Sequence, residues 1–195
     1  MTRMRRFLSA ASCSGRMLDV PLIPDISPEQ YDLVLRDLED VLGLEPGSVE
    51  SPEVGLTLGA QYFAAVARRP AEGADRLAAA IAERLREILD PDEFTITVNG
   101  EILSLSSVGG STTGPVGFAL RLPLSRDQRL GLALRMWARD AADFVSEVRG
   151  VPWPAPLAEA RAWIEPAAAR VWWGAPDVPE PLVALRPFDR EALGL

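Results

Sequence analysis

Histidine and lysine are missing from this 195-residue chain, so all 20 of its basic side chains are arginine. Without imidazole or a primary side-chain amine there can be no histidine-ligated metal, no Ser-His or Cys-His nucleophile pair, no phosphate-loop lysine and no Schiff base. A single cysteine, Cys13, cannot form an intrachain disulfide, so nothing points to an oxidising compartment. No apolar run reaches the length of a membrane-spanning helix. The expectation from these absences is a cytoplasmic protein with no membrane contact and no assigned cofactor, metal or catalytic residue. Cys13, beside Arg16 but with no base partner, has no catalytic context.

The first residues are the one place where another destination has to be weighed. Arg5-Arg6-Phe7-Leu8 resembles a twin-arginine export signal, and Ala10-Ala11-Ser12-Cys13 faintly resembles a lipoprotein cleavage box. Both require an apolar stretch of roughly 7–15 residues, and Phe7–Ala11 is too short. Residues 1–19 are therefore expected to be a flexible basic tail. Residues 20–150 are expected to form one α+β domain, and residues 151–195 a Pro/Trp-rich helical extension packed on it.

What is present in excess is negative charge, and it is concentrated. The chain carries 28 acidic residues and a net charge of −8. Between residues 27 and 60, eight carboxylates face Arg36 alone, a local net of −7. Such a field repels phosphate backbones and attracts cations, so the expected partner is a basic protein and not a nucleic acid.

Local structure is legible at several points. Val20–Pro24 reads as extended, because two prolines restrict the backbone. Ser27-Pro28-Glu29-Gln30 is a capping box with proline at the first helical position. The apolar stripe Tyr31, Val34, Leu35, Leu38, Val41 and Leu42 follows it, and Gly43 closes the helix. The helix turns Asp32, Arg36, Asp37, Glu39 and Asp40 away from that stripe. Further helices are predicted over 58–69 and 71–89. Phe94–Val98 and Ile102–Ser106 alternate about Asn99-Gly100, the pair favoured where both central turn residues need positive φ. Residues 108–117, rich in Gly, Ser and Thr, read as a loop, and Phe118–Leu124 as a third strand. Ser125-Arg126-Asp127-Gln128 is a second capping box and opens a long helix to Val148. Beyond Gly150, residues 157–164 and 166–173 read as short helices, with a last turn at 188–193.

The expected architecture is a three-stranded antiparallel meander under amphipathic helices. Gly109–Gly114 has the composition of a phosphate-cradling loop but lacks the following helix and the lysine. Asp90, Asp92 and Glu93 read as the acidic turn of a helix-to-strand connection, since their spacing fits no calcium loop. The candidate partner-binding residues are Asp32, Asp37, Glu39, Asp40, Glu45, Glu50 and Glu53, with Trp172 and Trp173 as aromatic anchors. Two adjacent tryptophans cannot both point inward from one helix turn. Three functional classes follow. The first is an acidic, bacterial-type inhibitor, immunity-type or chaperone-type protein that docks on a basic partner. The second is an enzyme limited to Asp, Glu, Arg and hydroxyl chemistry. The third is a structural subunit using the tryptophan-rich region.

Overall fold

Each capping box starts a helix where the residues require it. The computed structural model describes residues 27–49, 52–175 and 180–195, and between residues 52 and 58 the backbone alone. The basic tail, the extended Val20–Pro24 segment and Cys13 lie outside the described residues. In α1 (Pro28–Leu42), Ser27 Oγ accepts from the Gln30 amide, and the Gln30 side chain accepts from the Ser27 amide. Gly43 ends the helix in the left-handed conformation (φ +65°). Ser125 and Gln128 do the same for α4 (Arg126–Arg149). Between them lie α2 (Pro52–Val66) and α3 (Ala74–Ile88). α2 thus begins and ends earlier than the sequence pattern predicts.

The molecule is α+β and has two antiparallel sheets. The first contains β1 (Thr95–Asn99), β2 (Ile102–Ser107) and β3 (Gly110–Pro115) in sequential order. Its inner face is the expected one, with Ile96 opposite Leu105 and Val98 opposite Leu103. The turn differs in detail. Asn99 pairs with Ile102, and Gly100 (φ +57°) is the only positive-φ residue there, so the chain reverses on Gly100-Glu101. This is a glycine-first hairpin, shifted in register by two residues, and a shift of two keeps every side chain on its expected face.

The third strand is a correction. The segment expected to be a loop is β3, and the expected strand 118–124 is instead a 3-10 helix, Val116–Arg121, with an extended exit. β2 has a free edge of backbone donors and acceptors, and a short turn at 108–109 brings residues 110–115 to it despite their poor strand propensity. Gly114 fits there because it lies on the inner face, opposite Leu103. The 3-10 helix buries Val116, Gly117, Ala119 and Leu120, and Leu122 is buried just beyond it, so the apparent alternation of Phe118, Leu120 and Leu122 does not mark a strand face.

The second correction is the C-terminal extension, which is not helical between 157 and 173. β4 (Glu159–Ile164) and β5 (Ala168–Gly174) form a hairpin over Glu165–Ala167. Short strands β6 (Val183–Ala184) and β7 (Phe188–Asp189) both pair with β5, and a one-turn helix, α5 (Arg190–Leu193), follows. Ala160 and Ala162 fall two residues apart, the period of a strand. Ala160, Ala162, Ile164, Ala169, Val171 and Trp173 line one face, and that face packs on α4. A sheet can lie close to a helix where its inward residues are small. Ile164 meets α4 at Gly131, where a β-carbon would stand 3.5 Å from it. α4 thus carries the meander and 3-10 helix on one side and the second sheet on the other. Its buried residues, among them Leu130, Leu134, Trp137 and Val145, join both to one core.

Candidate functional site

α1 exposes a stripe of Glu29, Asp32, Leu33, Arg36 and Asp40, and Glu45 continues it in the turn that follows. No hydrogen bond or ion pair among the described residues engages the carboxylates of Asp32, Asp40 or Glu45. Leu33, 43% exposed, lies on this face beside Asp32, one turn from Glu29 and Arg36.

The other candidate acids have internal partners. Asp37 accepts from the Tyr62 hydroxyl (2.6 Å) and takes a two-pronged ion pair from Arg69 (2.9 and 3.0 Å). Tyr62 is fully buried. Burial first, and then the hydrogen bond to Asp37, push its hydroxyl pKa up, so it stays protonated and donates. The same carboxylate raises the pKa of Arg69 through its hydrogen bond. Tyr62→Phe is expected to lower stability by about 1.5 kcal/mol, the value of one hydrogen bond to a charged group. Urea unfolding checks this, and a change below measurement error would remove Tyr62 from the network. Glu39 is 7% exposed, and its Oε1 accepts from the Val49 amide at 3.3 Å, folding the turn after α1 back on the helix. Glu50 lies outside the described residues, as does the side chain of Glu53.

The network continues across the molecule through residues the sequence pattern did not single out. Arg69 Nη1 donates to the Arg121 carbonyl (3.3 Å), while Arg121 Nε donates to the Arg69 carbonyl (2.6 Å). Arg121 Nη2 is held by Glu101 Oε1 at 2.8 Å. The one available signal for Arg69 was its place just before Pro70, where a helix has to end.

The two tryptophans separate. Neighbours on a strand face opposite ways, so Trp173 is fully buried and donates its indole N–H to the Ala138 carbonyl (3.0 Å), while Trp172 is half-buried on the outer face. The prominent aromatic is Trp163, 62% exposed on β4.

A separate open cleft of about 470 Å³ is lined by Asp90, Asp92, Glu93, Ser107, Val108, Gly109 and Val148. Asp90 accepts from the Asp92 amide at 2.9 Å, the turn role expected of it. Glu93 is bound by Arg149, with Nη2 to Oε2 at 2.7 Å. Among the described residues, no three acidic or cysteine side chains are grouped closely enough to hold a metal ion. Nor is any helix among them long and apolar enough to cross a membrane. Comparison with protein-family models, curated proteins and solved structures gives no match for this chain.

Proposed function

We propose that this chain is a non-enzymatic protein-binding module that covers a basic surface of another protein with the outer face of α1. Inhibitor, immunity-type and chaperone-type proteins work in this way. The observation that carries the reading is the exposed acidic face of Asp32, Asp40 and Glu45, which carries Leu33 and whose carboxylates form no hydrogen bond or ion pair among the described residues. Desolvating the exposed Leu33 supplies affinity, and the charged residues of the face steer the approach and set orientation. Asp37 and Glu39 then belong to the scaffold beneath this surface, since their carboxylates already have partners.

The test is binding to a panel of purified basic proteins at low and high salt. The triple reversal Asp32→Arg, Asp40→Arg, Glu45→Arg is expected to weaken binding by about tenfold or more and to flatten its salt dependence. Binding that survives both the reversal and high salt would refute the assignment.

The cleft beside Asp90, Asp92 and Glu93 favours the enzymatic alternative, in which carboxylates and Ser107 would act on a small molecule. Exposed Trp163 favours the structural-subunit alternative. Saturable small-molecule binding abolished by Asp92→Asn would support the former, and a stable complex lost on Trp163→Ala the latter.

A further inference from the structure

We propose that α1 and α2 form an arm that opens from the rest of the chain as one unit, pivoting on residues 70–72, and that Arg121 is the pin that holds it closed. Among the described residues, the partner that α1 meets most is α2. The pair is internally tied. Tyr62 and Arg69, from and just after α2, both hold Asp37 of α1. Val34, Leu38, Tyr62 and Val66 are all fully buried, in the same core as the body.

Among the described residues, the arm's hydrogen-bonded ties to the body fall in one place, beside an apolar core that the two share. Phe63 meets Phe118 of the 3-10 helix with ring centroids 4.9 Å apart. Next to that contact lie the reciprocal hydrogen bonds between Arg69 and Arg121. Arg121 is preset for this role, because Glu101 holds its guanidinium and the 3-10 helix makes room for it. A β-carbon on Gly117 would collide with Glu101 Oε2 and crowd Arg121 Nη1.

The pivot follows directly. Arg121 grips the last carbonyl before Pro70, and on the far side Gly73 is seated against the body. Its φ is +74°, and a β-carbon there would stand 2.7 Å from the Leu193 carbonyl oxygen. Residues 70–72 are therefore a short connection between a pinned residue and an anchored one. When the pin releases, the arm parts from the 3-10 helix and exposes Phe63 and Phe118. The pin is made of hydrogen bonds between charged side chains and backbone, so a lysine, with no planar fork, cannot replace it.

Native-state hydrogen–deuterium exchange on the full chain tests this. In the wild type, the slowest amides of α1 and α2 are expected to exchange together through one sub-global opening, well before those of α4. Arg121→Lys is expected to speed exchange in α1 and α2 by about tenfold, leaving the slowest α4 amides within about twofold. Glu101→Gln, a milder change, should act in the same direction and serves if the lysine variant does not fold. Equal protection of α1, α2 and α4 in the wild type would overturn the proposal. So would a uniform acceleration across the chain in either variant.

Discussion

Trp173→Ala is expected to cost about 4 kcal/mol of folding stability, the largest effect of any single truncation in the second sheet. The side chain is fully buried, its N–H is satisfied by the Ala138 carbonyl inside α4, and its ring meets Trp153 edge-on with centroids 5.2 Å apart. Alanine would remove all three contributions and leave a cavity between α4 and β5 that rigid backbone on both sides cannot fill. Trp172→Ala, one residue away, is the control. That ring is half-buried on the outer face, and its loss should cost about 1 kcal/mol. Urea unfolding followed by far-ultraviolet circular dichroism separates the two without relying on tryptophan emission. Equal costs at the two positions would mean that the second sheet does not pack on α4 through Trp173.

Arg84→Ala should cost about 3 kcal/mol, and Arg84→Lys should recover less than half of it. Arg84 is one of two charged residues buried among those described, and it sits where α3 faces the final segment of the chain. Its Nε donates to the Arg186 carbonyl (3.4 Å) and its Nη2 to the Pro187 carbonyl (3.2 Å). Nη1 pairs with Glu83 at 2.7 Å, and the guanidinium carbon lies 5.2 Å from the Phe188 ring centroid. A planar fork serves two adjacent carbonyls and a ring face at once, whereas an ammonium can serve only one of these well. Arg186 adds an exposed ion pair to Glu83 and Glu87, worth little in water. Thermal unfolding of the alanine and lysine variants gives the comparison, and full rescue by lysine would show that charge alone is what matters at Arg84.

Where the residues interact with near neighbours, the chain could be read directly. Both capping boxes, the left-handed glycine after α1, the inner face of the β1–β2 hairpin and the last turn at 188–193 depend on contacts within a few positions. The position of the acidic helix was equally legible, but not which of its carboxylates face outward, since Glu39 is buried and Asp37 is held by Tyr62 and Arg69. The reading failed where a distant partner decided the outcome. Residues 110–115, with two glycines and a proline, have poor strand propensity and become β3 because β2 offers an unpaired edge. Residues 157–164 and 166–173 read as short helices, yet 159–164 and 168–174 pair as strands because α4 provides a surface for their alternate side chains. In the candidate site, Asp37 and Asp40 look alike in sequence. Only the approach of Tyr62 and Arg69 distinguishes the carboxylate that holds the scaffold from the one that faces solvent.

The order of residues by itself determined the chemistry closed to this protein, the helix starts and the place where negative charge accumulates, since composition and short-range geometry require no knowledge of the rest of the chain. Tertiary structure alone decided which segments became strands and which of two adjacent tryptophans was buried. It also decided which carboxylates remained available to a partner. Those outcomes depend on what lies across a sheet or beneath a helix, and contacts of that kind join residues far apart in the chain.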